Sequence, residues 1–389
     1  MKRFILHVGF HKTATTSIQE TLSNNLDNIM KMGFYYPIFN GETGGINNHS
    51  VPIYTAFCDK PDEYHINANI TDEKKLKEIV NNYKMEFYSI LKSQCHVIIS
   101  GEDISILPET ALLHIKELIL DAGFNLEVYC SIRKPYSMLC SELQQKIKSG
   151  NADLLNIKVT LRSVIVKKLL NVFGKSITFT SFESDCKKNG PVIEFLHRIG
   201  VYSDDVVIFT SNEGFGNIST RALAFLNIKF PIFKDGRIYG KRRKKFINSI
   251  DRSRFLLTKD EFYSVYGFII HENSQYEKYL GTDYTDSEYQ FSEPLDIELK
   301  EAINLIHEYH ESHTGVELFK FLNNNSTVSF DILSDIFSQD ADILRNMAIF
   351  FEWKGDIISA SKYIKMAKSS RPNGPLINLK CQEYERLLE

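Results

Sequence analysis

A short apolar strand that runs straight into a glycine, a lysine and four hydroxyl residues constrains this chain more than any other stretch. Phe4-Ile5-Leu6-His7-Val8 has the composition of a buried β-strand, and Gly9-Phe10-His11-Lys12-Thr13-Ala14-Thr15-Thr16-Ser17 follows it. Beyond the loop, Ile18, Leu22, Leu26 and Ile29 recur at the spacing of one helix face. A strand that feeds a polar loop at a helix N-terminus makes an anion cradle, because backbone N–H groups and the helix dipole point at the same place. Lys12 adds a mobile positive charge, and Thr13, Thr15, Thr16 and Ser17 add hydroxyl donors. The loop therefore predicts a phosphate-like ligand. The plainer reading of the same residues is a corner whose hydroxyls cap the helix.

The rest of the chain bears on that choice. Strand-like runs at His96–Ser100, Leu126–Ile132 and Ser176–Ser181 alternate with helical patterns. One of these covers residues 71–93, with Leu76, Ile79, Val80, Tyr83, Phe87, Ile90 and Leu91 on one face. The alternation predicts an α/β fold with a central parallel sheet flanked by helices in three layers. In such sheets ligands bind beyond the carboxyl ends of the strands. Three polar clusters fall at predicted strand ends: Gly9 to Ser17, Ser100 to Asp103, and Arg133 with Ser141.

The spacing narrows the ligand. A nucleoside-triphosphatase P-loop requires G-x-x-x-x-G-K-[ST], whereas here Lys12 comes three residues after Gly9 and the second glycine is absent. The loop resembles the 5′-phosphosulfate loop of sulfotransferases that use 3′-phosphoadenosine 5′-phosphosulfate (PAPS). Many members carry Lys-Thr-Gly-Thr-Thr, and Ala14 stands at that glycine. Arg133, Pro135 and Ser141 resemble the same family's 3′-phosphate element, in which the serine follows the arginine by eight residues, as it does here. The planar fork of arginine suits a phosphate through paired charge-assisted hydrogen bonds. The resemblance implies that Gly9, His11, Lys12, Thr13, Ala14, Thr15, Thr16 and Ser17 hold the 5′ end of PAPS and that Arg133 and Ser141 hold its 3′-phosphate. It also implies a P-loop-like fold, PAP as product, and no metal.

A hydroxyl acceptor must lose its proton as the new O–S bond forms, and a carboxylate at the sheet edge can take it. Ser100-Gly101-Glu102 is similar to the strand-end glutamate of carbohydrate-type members, which implies Glu102 as general base and a carbohydrate or other hydroxyl-bearing acceptor. Small-molecule members favour histidine, which keeps His49 as the second candidate. Asp103 stands behind both. The plainer readings are a helix-capping Glu102 or one paired with Lys12, and a helix-capping His49.

At 389 residues and 43% hydrophobic content, the chain can bury a full core and is expected to hold more than one domain. A net charge of −3 gives no reason to expect nucleic acid as a partner. No apolar run approaches the ~18 residues of a membrane span. The opening run is short and flows into the loop, so retention of the first residues is expected. Six cysteines without a C-x-x-C pair read as thiols in a reducing, cytoplasmic setting.

The expected domain is 1–325, with bacterial sulfotransferase-like segments near Ser211 to Asn227 and Asn273 to Tyr284. The basic run 241–245 reads first as a solvated face. Residues 326–389 differ in kind. Leu344, Met347, Ala348, Phe351, Gly355, Ala360, Ile364, Ala367 and Pro372 resemble a tetratricopeptide helix pair. One repeat cannot bury its own face, so self-association, a protein partner or docking on the catalytic domain is expected of it. Two other classes compete with the sulfotransferase: a P-loop kinase or NTPase, which would need Mg²⁺ and ATP, and a non-catalytic scaffold acting through the helical tail.

Overall fold

The computed structural model describes residues 1–42, 44–151, 154, 157–211, 214–230, 233–234, 237–238, 253–309, 315–325, 327 and 329–389. The basic run 241–245 lies outside them. The chain packs as two units interleaved along the sequence. One is Met1–Leu139, Val159–Glu213 and Tyr266–Tyr289; the other is Cys140–Lys158, Gly214–Val265 and Gln290–Glu389.

The first unit is α/β. In chain order it holds β1 (Arg3–His7), α1 (Thr15–Asn24), α2 (Leu26–Lys31), β2 (Phe34–Tyr35), β3 (Phe39–Gly41), β4 (Gly44–Ile46), α3 (Ser50–Phe57), α4 (Glu73–Ile90), β5 (His96–Ser100), α5 (Glu109–Asp121) and β6 (Asn125–Ile132). The start of α6 (Pro135–Lys148), then α7 (Ser163–Phe173), β7 (Ile177–Ser181), α8 (Phe182–Lys187) and α9 (Pro191–Ile199) follow. Five strands form one sheet in the order β2-β5-β1-β6-β7, with every pair parallel.

Side-chain alternation along β1 divides the core in two. Phe4, Leu6 and Val8 join a cluster with residues of α3, α4, α5 and α7, while Ile5 joins Ile18 and Leu22 of α1 and Phe195, Leu196 and Ile199 of α9. Helices thus cover both faces, as a buried parallel sheet requires. Local chemistry sets the element ends. The Asp72 side chain caps α4 by accepting from the N–H groups of Lys74 and Lys75, and Gly200 closes α9 at φ 82°.

Two details depart from the periodicity. The helix expected from Ile18 to Ile29 breaks at Asn25, which is buried and bonds the backbone of Val207 through both ends of its amide. Leu26, on the predicted buried face, is exposed as a result. The stretch after Asn40, which shows no periodicity, forms the short antiparallel pair β3–β4.

The described part of the second unit is mainly helical. A buried Arg221–Glu261 pair, 2.7 Å apart, ties the helix Asn217–Lys229 to the start of the helix Lys259–Leu280. The C-terminal helices span Ala341–Trp353, Ile357–Ser370 and Pro375–Leu388, the first two capped by Asp340 and Asp356. Leu344, Met347, Ala348, Ala360, Ile364 and Ala367 are fully buried, and Gly355 takes φ 78° at the turn. Phe350 is the fully buried ring of the first helix, while Phe351 is half-buried and stacks on Tyr363. No helix among the described residues is long and apolar enough to cross a membrane.

Candidate functional site

The site lies at the carboxyl edge of the parallel sheet, within the first unit. β1 is the central strand, paired with β5 through His7 and Ser100 and with β6 through His7 and Tyr129, so the loops leaving all three strands are neighbours.

The loop after β1 is wound tightly. Thr13 donates its hydroxyl to the carbonyl of Phe10, and both Lys12 and Ala14 adopt φ 66°. A left-handed residue with a side chain costs roughly 1–2 kcal/mol. Gly9 is required for a different reason: a Cβ there would lie 2.8 Å from His7 Nε2 and 3.1 Å from Thr13 Oγ1. Ala14 is the N-cap of α1, provides no side-chain acceptor, and the first turn of the helix carries no acid. Thr15 Oγ1 is buried without a hydrogen-bond partner. A helix start with no internal cap and an orphaned hydroxyl beside it has the donor chemistry of an anion site.

The loop hydroxyls differ in what they do. Thr13 is committed to the loop itself, and Ser17 Oγ accepts the N–H of Ser211 at 3.1 Å. Thr15 is orphaned and Thr16 is half-buried. Below the loop a small pocket is lined in part by His7, Thr13, Ser131 and Arg198. His7 Nδ1 lies 2.9 Å from Ser100 Oγ, and burial pushes this imidazole down to about 4.

Arg133, at the end of β6, reaches the same loop. Its Nη1 donates to the carbonyl of Lys12 at 3.0 Å, its Nε donates to Ser137 Oγ at 2.7 Å, and its guanidinium lies over the ring of Phe182. Ser141, the partner expected from the spacing, falls in the second unit and is half-buried. Ser137 lies in the first turn of α6, close in sequence to the end of β6, and that nearness is the only sign of this contact the sequence carries. The N-terminus of α6 is met by two carboxylates: Glu183 accepts from the Lys134 N–H and Asp286 from the Tyr136 N–H. Burial raises the Asp286 carboxyl to about 6, against the hydrogen bonds with the Tyr136 N–H and the Asn273 side chain.

Glu102 and Asp103 open the turn after β5, which Gly101 brings close to α3; a Cβ on Gly101 would lie 2.5 Å from the N of Ser50. His11 from the loop after β1 sits between the two carboxylates, with Nδ1 2.9 Å from Glu102 Oε1 and Nε2 3.2 Å from Asp103 Oδ1. The Tyr64 hydroxyl donates to the other oxygen of Asp103 at 2.6 Å. Burial works against charge on His11, but hydrogen bonds to Asp103 and Glu102, together with their charges, raise it to about 9. The same hydrogen bonds from His11 and Tyr64 overcome burial at Asp103 and hold its carboxyl below the usual range.

His49 is placed differently from Glu102. It is fully buried, its Nε2 lies 2.7 Å from the carbonyl of Pro37, and its Nδ1 accepts the N–H of Ser100 at 2.9 Å. Burial pushes it down to about 4 despite the bond to Pro37. Both ring nitrogens are thus occupied by backbone groups, and the ring fastens the end of β5 to the segment before β3.

Comparison of the chain with protein-family models, with curated proteins and with solved structures found no match in any of the three.

Proposed function

We propose that this chain is a PAPS-dependent sulfotransferase with a P-loop-like first unit, acting on a hydroxyl of a carbohydrate or glycan-containing acceptor in the cytoplasm. The observation that carries the reading is the start of α1: no side-chain cap, no acid in its first turn, the orphaned Thr15 hydroxyl, and a loop wound through Lys12 and Ala14 in left-handed geometry. A dianionic group fits such a donor set. Arg133 at the next strand end supports a second phosphate contact.

PAPS, when bound, supplies the sulfuryl group that the acceptor oxygen takes up. The first N–H groups of α1, with Thr15 and Thr16, would hold its 5′-phosphosulfate. Lys12 would neutralise charge on the departing phosphate, and Arg133 would hold the 3′-phosphate. Ser137 orients the guanidinium. Glu102 Oε1 is engaged by His11, which leaves Oε2 to receive the acceptor's proton. Positioning and charge stabilisation then provide most of the acceleration. The buried, doubly bonded His49 supports a scaffolding role, not that of a base. The C-terminal helices are proposed to be tetratricopeptide-like and to bind a protein partner or a second copy.

The test is release of PAP from PAPS in the presence of a panel of glycans. Wild type should release PAP with at least one of them, and Lys12→Ala should lose at least a hundredfold in rate. Unchanged turnover by Lys12→Ala would overturn the assignment. Activity with ATP and Mg²⁺ in place of PAPS would support the kinase class.

A further inference from the structure

We infer that His11 is a positioning residue whose imidazolium bridges Glu102 and Asp103 and shields an anion held in the adjoining loop from both carboxylates. The inference deepens the proposed function and rests on its anion loop.

The argument begins with hydrogen-bond inventory. A neutral imidazole carries one N–H, whereas an ionised carboxylate only accepts. His11 presents its two nitrogens to two different carboxylates, at 2.9 Å and 3.2 Å. With both carboxylates ionised, only the doubly protonated ring satisfies both contacts. The surroundings hold that state in place. Asp103 keeps one oxygen for His11 and gives the other to the Tyr64 hydroxyl at 2.6 Å, while its backbone N–H donates to Ser50 Oγ at 3.1 Å. The Tyr64 ring is backed by Tyr54 at 4.4 Å. The charged or titratable groups facing this cluster include Lys12, adjoining His11, Glu63 and His65, flanking Tyr64, Tyr54 itself, and His49, adjoining Ser50.

The bridge has a consequence for the loop. Glu102 and Asp103 bring two negative charges to residue 11 of a segment whose next residues are built to receive an anion. Unscreened, they would repel it; with His11 charged, the three groups together carry one net negative charge, which Lys12 can offset. His11 thus sets both the position of Glu102 and the electrostatic cost of filling the loop.

Calorimetric titration with PAP at pH 7.5 and low salt tests the shielding. His11→Gln should weaken binding about tenfold or more. Adding Glu102→Gln and Asp103→Asn to that variant should recover most of the loss, because the charges that needed shielding are gone. A loss without recovery would mean that His11 only shapes the loop, and would overturn the shielding. Nitrogen-15 NMR of the full-length chain, with the His11 signals assigned by their absence in His11→Gln, tests the bridge without any ligand. Both ring nitrogens should be protonated at pH 7.5 and the ring should titrate well above 7. A neutral ring at pH 7.5 would overturn the bridge whether or not PAP binds. Failure of wild type to bind PAP would overturn the shielding and the functional reading together; a charged ring with binding but no recovery would overturn the shielding alone.

Discussion

Arg133 donates from Nη1 to the carbonyl of Lys12 at 3.0 Å, so the polar end of β6 is fastened to the backbone of the loop that leaves β1. The contact is to a main-chain oxygen of the residue whose ammonium is central to the proposed chemistry. It makes Arg133 both a ligand candidate and a part of the loop's scaffold.

Replacement of Arg133 by alanine should therefore destabilise the free protein as well as weaken PAP. Hydrogen bonds that involve a charged group contribute roughly 1.5–3 kcal/mol, and Ser137 Oγ would lose its donor together with Lys12. Urea unfolding should show a loss in this range. Arg133→Lys should recover little of it, because an ammonium cannot span Ser137 and Lys12 with the geometry of the guanidinium fork. Equal stability of all three proteins would show that the contact contributes nothing to the scaffold.

Ala14 offers a test in the opposite direction. Its φ of 66° is left-handed, a backbone region that favours glycine. Ala14→Gly removes a strain of roughly 1–2 kcal/mol and adds a smaller entropic cost in the unfolded chain, so a net gain of about 0.5–1 kcal/mol is expected. Ala14→Val should be destabilising, since a β-branched residue tolerates this backbone least. Both are read from unfolding midpoints, and a valine variant as stable as wild type would contradict the loop geometry.

The histidines give stability two pH limits of opposite sign. His7 and His49 are neutral in the fold, pushed to about 4 by burial, while an unfolded histidine titrates near 6.5. Between those values the unfolded chain binds the extra protons, so stability falls as pH drops from 6.5 to 4, by roughly 3 kcal/mol for each ring. His11 behaves conversely. Its folded value of about 9 lies above the unfolded one, so its contribution is complete below pH 6.5 and is lost as pH rises through 9. Urea unfolding from pH 4 to 10 should show both losses, and His11→Gln should abolish only the alkaline one. An alkaline loss of the same size in that variant would contradict the assignment.

Much of the architecture was legible because it is locally encoded. The strand His96–Ser100 falls where its apolar run places it. Asp72 caps α4 through the next N–H groups of its own first turn. What the sequence could not show are contacts that depend on folding distant segments together. Tyr64 and Asp103 lie 39 residues apart and meet only because α3 returns to the end of β5. Nothing local to Asp103 signals the Tyr64 contact, and nothing local to His11 signals its two carboxylate partners. The break at Asn25 was hidden because its cause, the backbone of Val207, is 182 residues away. His49 carries no local sign that both of its nitrogens would be taken by backbone groups.

The loop from Gly9 to Ser17, with Arg133, is proposed to bind the nucleotide of a sulfuryl donor without metal. Thermal unfolding with PAP, and separately with ATP and Mg²⁺, tests it most directly on wild type and Arg133→Ala. A ligand at about a hundred times its dissociation constant adds roughly 2.7 kcal/mol to stability, an easily measured rise in melting temperature. PAP alone should stabilise wild type, chelator should leave the effect intact, and Arg133→Ala should lose it. Stabilisation by ATP with Mg²⁺ and none by PAP would contradict the proposal.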